Sequence, residues 1–254
     1  FSKFNPIYLV SGDTGFDSDK SDEYYLRAME IIKEKTPEAL TTLHIMGSKH
    51  NVSPGLIEAE EYDFYMYQSG HTRSYSEGAY ELAQAFNNKS VKRPVVNGEP
   101  CYEGIEAHDD SGPGRFTALD VRKAIWQSLL SGAGIGVTYG AHGLWSWHHR
   151  GMDFGAKEVF DMPFVWSDAL RFRGAEDAAR AKWVFNNYDL FGLKPVDIIM
   201  NDTEEIRMAE TENTFAIYTP YNTNVRIDRD ISNYELTVFE LAPEKTGKPA
   251  VEVK

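Results

Sequence analysis

Apolar runs of strand length alternate with stretches of helical period five times over in the first three quarters of the chain, and each run leads into polar or acidic residues. Residues 6–11 (PIYLVS) have the β-branched and aromatic content of a strand buried on both faces, ending at Gly12-Asp13-Thr14-Gly15. Residues 21–35 then place Tyr25, Met29 and Ile32 on one helical stripe, with Ser21 as the expected N-cap and Pro37 as the stop. The cycle repeats with a strand over 39–46 (ALTTLHIM), an irregular helical stretch over 54–61, a strand over 62–68 (YDFYMYQ) and a helix over 76–86. A fourth strand, 93–97 (RPVVN), runs into Gly98-Glu99-Pro100. After a long loop comes the clearest helix, 117–130, opened by Thr117 and Asp120 and closed by Gly132. A fifth strand over 134–139 (GIGVTY) and helix over 166–185 complete the series.

Strands and helices in this order pair in parallel with right-handed crossovers, which leaves an open doubly wound sheet or an eight-stranded barrel. No Gly-x-Gly-x-x-Gly loop follows any of the strands, which argues against a nucleotide-binding sheet. Polar and aromatic groups instead gather where the strands end: Asp13, His44, Gln68 with His71, Glu99, and Trp145 with Trp147. A barrel keeps its function at those ends. The expected fold is therefore α/β, with residues 1–192 forming the C-terminal portion of a TIM (β/α)8 barrel. About three strands would precede Phe1 in a longer gene product, or the open sheet edges would drive self-association. After Pro195 the pattern changes to short alternating runs (VDIIM, EIRMAE, FAIYT, VRIDR, YELTVFEL), predicting a small β-sandwich over 195–254.

With 254 residues, 42% of them hydrophobic, the chain has ample material for a core. Its net charge of −13 and lack of a basic cluster exclude nucleic acid as the expected partner. No apolar window approaches the roughly 18 residues of a membrane span. The single cysteine, Cys101, leaves no disulfide within the chain and no Cys-rich zinc site. His148 and His149 are adjacent, so on a strand they face opposite ways and cannot share an ion. Neither a catalytic metal nor a cofactor is expected.

Two carboxyl groups flanking one bond are the usual equipment for cleaving a glycosidic linkage. Asp13 and Glu99 are the acids that directly follow strands behind a glycine, Gly12 and Gly98, whose missing side chains would let a ligand approach. Glu103, deeper in the same loop as Glu99, ranks second as a carboxylate and suits loop backbone or a sugar hydroxyl. His44, His71 and His142 are candidates for sugar hydroxyls or for holding the carboxylates, each equally compatible with a structural role. Tyr102, Tyr139, Trp145 and Trp147 offer flat faces for the C–H side of a sugar ring, with barrel core as the alternative for the tryptophans. Gln68 joins them as a polar group at a strand end. Trp126 and Trp183 fall on helical stripes and are expected in the core.

The segments YLVSGDTGF (8–16), LHIMGSKHN (43–51), YDFYMYQSGH (62–71), KRPVVNGEPCYEG (92–104) and VTYGAHGLWSW (137–147) resemble the apiosidase-like glycoside hydrolases, glycoside hydrolase family 140 and its relatives. The resemblance covers essentially the whole chain, including a C-terminal β-domain of the kind described as collagen-binding. It implies that Asp13 is the acid/base, that Glu99 is the nucleophile of a retaining mechanism, and that the strands are the fourth to eighth of the barrel. Asp13 would be kept protonated by partial burial and neighbouring negative charge. Family members often carry Gly-Gly-Asp where this chain has Ser11-Gly12-Asp13. The implied setting is a secreted or periplasmic enzyme acting on plant cell-wall oligo- or polysaccharide. A non-catalytic carbohydrate-binding protein and a β-glucanase or β-mannanase on the same barrel are the competing readings.

Overall fold

The computed structural model describes residues 2–108, 114–241 and 251–253. β1 (Tyr8–Leu9) and β2 (Thr41–Thr42) pair in parallel. β3 (Tyr65–Gln68), β4 (Val95–Glu99) and β5 (Gly136–Val137) form a second parallel sheet in that order. Asp63 N donates to Thr41 O and Ser48 N to Gln68 O, both at 3.1 Å, which lays β2 beside β3. Five parallel strands thus succeed one another in chain order, and every predicted strand of this half is present in shortened form. Among the described residues the sheets do not close into a barrel. Ile7, just before β1, and Leu9 within it are exposed.

Four helices cover these strands: α1 (Asp19–Lys35), α2 (Pro54–Glu58), α3 (Gly78–Asn87) and α4 (Ala118–Leu129). α1 starts ahead of the predicted Ser21 because Ser18 is the cap, its hydroxyl accepting from Ser21 N at 3.3 Å. α4 opens on the predicted capping box, with Thr117 and Asp120 each satisfying the other's backbone amide. The single helix predicted over 166–185 is broken into α5 (Trp166–Ala169) and α6 (Gly174–Tyr188). The second begins where Gly174 N finds the Glu103 carboxylate at 2.7 Å, an anion at a helix N-terminus. Tyr62, Tyr65, Tyr67, Phe86, Leu43 and Ile45 are fully buried between the strands and α1 to α3. Trp126 is in the core as expected, but Trp183 is 47% exposed and packs edge-on against Tyr188. Its side of α6 faces away from the buried Ala181 and Phe185.

Beyond residue 193 the described strands are antiparallel. β6 (Lys194–Pro195), β7 (Arg207–Glu210) and β8 (Phe215–Tyr218) form one sheet, and β9 (Thr237–Phe239) pairs with β10 (Val251–Val253). Ala209 and Tyr218 enter the same buried cluster as α4 and α6, with Tyr218 stacked on Trp126 at 6.1 Å. Arg207 is buried, its Nε donating to Ser131 Oγ at 3.0 Å, and Lys123 of α4 pairs with Glu205. This region therefore packs directly on the helical face of the α/β half.

Behind the strand ends lies a buried polar knot. Asn97 donates through Nδ2 to Ser69 Oγ and Ser128 Oγ, both at 2.9 Å, and the Tyr67 and Ser128 hydroxyls both donate to Ala79 O. The knot joins β3, β4, α3 and α4 two residues before Glu99. Removing one partner strands the others without water. Asn97→Ala is expected to lower unfolding stability by about 1–3 kcal/mol, read as a fall in the urea midpoint. An unchanged midpoint would show that the knot contributes nothing.

Candidate active site

Five residues brought together at the C-terminal ends of β1 to β4 form one polar cluster: Asp13, His44, His71, Glu99 and Tyr102. Glu99 is its centre. Its Oε1 stands 3.1 Å from His71 Nε2 and its Oε2 stands 3.2 Å from His44 Nε2. The latter is a close approach without good hydrogen-bond alignment. His44 Nε2 also lies 4.0 Å from Asp13 Oδ1. One imidazole nitrogen thus links the two acids, which are no more than roughly 7 Å apart, a span compatible with glycosidase carboxyl pairs.

The turn of β4 explains how Glu99 reaches this place. Tyr67 pairs with Asn97, but the next residue, Gln68, pairs with Glu99, so Gly98 is an extra residue in the strand. Strict alternation would turn Glu99 to the same side as Asn97, towards α4. The bulge re-aims it towards the histidines. Gly98 has a further duty that differs from the expected one: a Cβ there would overlap the Met66 side chain, so the glycine is needed for packing. Gly12 has open space around it.

His71 is 5% exposed, and its Nδ1 accepts from Tyr102 N at 3.2 Å. That bond places the ring proton on Nε2, facing Glu99. The Tyr102 ring packs on His71 at 4.5 Å, over Gly140, where a Cβ would collide with it. Burial, then the charge of Glu99 and a hydrogen bond to it, push the Tyr102 hydroxyl pKa up, so it remains a proton donor. Burial opposes ionisation of Glu99 more than any single influence favours it. The close contact of His44, the hydrogen bond from His71 and the charge of both together outweigh burial, taking its pKa down to about 2. His44 moves the other way, raised first by its contact with Glu99 against the effect of burial, with smaller contributions from Asp13 and Gln68. Gln68 is buried beneath this group, against Gly47.

Asp13 sits at a left-handed backbone position, φ +44°, just before Thr14 bridges to Ile45. Its side chain is 66% exposed, so the partial burial expected of it is absent. Ser11, which the sequence reading did not single out, ties the two arms together. Its hydroxyl donates to His44 O at 3.0 Å and accepts from His44 N at 2.9 Å. The only hint was its departure from the Gly-Gly-Asp pattern.

The other named residues form separate groups. Glu103 is buried and binds the Tyr139 hydroxyl at 2.8 Å as well as Gly174 N, so both side chains brace α6. His142 is fully buried: its Nε2 donates to Asp161 O at 2.8 Å, while its Nδ1 accepts from Trp145 Nε1 at 3.2 Å. Arg115 pairs with the same Asp161, closing the loops after β4 and β5 on each other. Trp147 stacks on Trp166. Two cavities, of about 250 and 370 Å³, lie elsewhere, one between α3 and α4 and one beside the start of α1.

A carboxylate with a depressed pKa stabilises the fold where it is ionised. Glu99 contributes in full above its unfolded value near 4.5, and that contribution is lost as pH falls towards 2, on the order of 3 kcal/mol. His71→Ala is expected to raise the Glu99 pKa and to move acid destabilisation to higher pH, checked by carboxyl NMR titration. A Glu99 titration unmoved by the substitution would contradict the hydrogen-bond cage.

The family model described as apiosidase-like, catalytic domain, matches residues 1–192. Among solved structures, one titled glycoside hydrolase superposes with a TM-score of 0.70 at 21% identity, covering 85% of this chain and 52% of that one. A glycoside hydrolase family 5 structure from Bacteroides vulgatus ATCC 8482 gives 0.74 at 21% identity, covering 89% of this chain and 52% of its own. No curated protein matches the chain in sequence. The chain thus spans about half the length of these two structures, which share its fold. By the match over residues 1–192, the chain belongs to the apiosidase-like catalytic-domain family.

Proposed function

We propose that this chain carries the catalytic centre of a glycoside hydrolase that cleaves plant cell-wall-type oligo- or polysaccharide with retention of configuration. The observation that carries the reading is the ionised Glu99 held by two imidazoles, with Asp13 linked to it through His44. Family membership supports the same chemistry.

In the first step the Glu99 carboxylate attacks the anomeric carbon while Asp13 gives its proton to the departing glycosidic oxygen. The bond to the leaving sugar breaks as the ester to Glu99 forms. In the second, Asp13 takes a proton from water, whose oxygen attacks the same carbon and releases Glu99. His71 Nε2–H and the Tyr102 hydroxyl hold Glu99 in its attacking orientation, and they stabilise it again as the leaving group. The exposed Asp13 becomes enclosed only when a sugar lies over it.

In this reading β1 to β5 are the fourth to eighth strands of a barrel, and the open side of β1 is covered by further strands of the same polypeptide or by a second copy. Residues 195–254 form an accessory β-domain, and secretion is the setting. Among the described residues no helix is long and apolar enough to cross a membrane.

The test uses the natural, complete polypeptide on a panel of plant cell-wall oligosaccharides, with NMR of the first-formed anomer. Asp13→Asn is expected to slow hydrolysis roughly 10²- to 10⁴-fold, Glu99→Gln at least as much, and the wild type to release the retained anomer. Activity within a few-fold of wild type in both variants would remove the site assignment. Binding without any release of sugar would make the protein a lectin-like one.

A further inference from the structure

The loop between β5 and α5 presents a feature that the catalytic cluster does not use. Trp147 and Trp166 lie face to face, ring centroids 4.7 Å apart and planes within 11°. Trp147 is 57% exposed. Trp166 is half-buried, whereas the Trp147 indole stacked on it forgoes much of the stabilisation that burial would give it, which leaves its open face as a binding surface.

The backbone fixes the pair. Trp147 has φ +48°, a left-handed conformation that bulky residues rarely adopt. Its N–H donates to Leu144 O at 3.0 Å, Trp166 N–H donates to His148 O at 2.9 Å, and His148 N–H donates to Gly143 O at 3.0 Å. Gly143, φ +125°, allows the tight fold, because a Cβ there would run into the Phe164 carbonyl. Among the described residues the cation–π pairs use other rings. His149 stands edge-on to Trp166 at 6.2 Å, a polar group at the rim.

The loop is joined to the catalytic cluster by an aromatic trail. His71 packs on His108 at 5.3 Å, His108 on Phe160 at 4.7 Å, and Phe160 on Trp145 at 5.7 Å, two residues before Trp147. Trp145 itself is spoken for by His142. We propose that Trp147 and Trp166 form a distal sugar-binding platform that takes a further unit of a glycan chain on its C–H face, outside the catalytic pair. The assignment rests on the glycoside hydrolase reading. It makes the substrate a chain of several sugars, because the platform takes a unit other than the one held at the catalytic pair.

The complete wild-type polypeptide, Trp166→Ala and Trp166→Phe are compared by native electrophoresis in gels containing soluble xylan, mannan or pectin, and by kinetics on oligosaccharides of two to eight units. Wild type is expected to be retarded in at least one gel, with Trp166→Ala about five- to tenfold weaker and Trp166→Phe close to wild type. KM for long oligosaccharides should rise by the same factor, and the effect should grow with chain length. Equal retardation of wild type and Trp166→Ala overturns the platform, as does wild type unretarded in all three gels. A loss equal at every chain length, or a wild-type dimer dissolved by Trp166→Ala with glycan binding intact, overturns it too. Hydrolysis without a Trp166 effect removes the platform alone, whereas glycan retention through Trp166 without hydrolysis removes the hydrolase reading and leaves the platform.

Discussion

A half-buried carboxylate between two imidazoles is the interaction around which the molecule is arranged. Taking Glu99 out of water disfavours its charge, and that penalty is met by His71 Nε2–H and by the close approach of His44. Each donor comes from a different strand end. His44 follows β2, His71 follows β3, and Glu99 closes β4, so the charge is stable only if neighbouring strands keep their register. Ser11 extends the same dependence to the segment bearing Asp13.

The rest of the fold supports that register from behind. The Gly98 bulge turns Glu99 forward while Asn97, two residues earlier, locks β4 to β3 and α4 through buried hydrogen bonds. On the outer side of α4, Arg207, Glu205 and Tyr218 pack the antiparallel strands against the same helix. Mechanical support therefore runs from the C-terminal strands through α4 to the carboxylate. The loops after β4 and β5 are closed separately, by Glu103 on α6 and by Asp161 between Arg115 and His142.

Much of this was legible in the residues. Repeated alternation gave the parallel strands and their helices, because buried strands and amphipathic helices write different periods into a chain. Asp13 and Glu99 stood out as acids directly after strands, and the structure brings them to a common histidine. What escaped notice depends on contacts distant in sequence. Ser11 is an ordinary serine until His44, 33 residues on, lies beside it. Gly98 reads as a ligand-side glycine until Met66 fills its place. Glu103 and Tyr139 look like site residues by position, yet the start of α6 claims both. Trp166 gave no cue beyond opening the predicted helix over 166–185, since its partner Trp147 lies in the loop that precedes α5. Trp183 shows the reverse error, an aromatic on a helical stripe that the core does not need.

The most direct measurement is to trap the enzyme with a 2-deoxy-2-fluoro glycoside of the sugar that it releases and to locate the label by peptide mass spectrometry. A nucleophilic Glu99 gives a stable glycosyl ester on the peptide containing that residue, at one label per chain. A label on another carboxylate, or ready turnover with no label and an inverted product, would contradict the role given to Glu99.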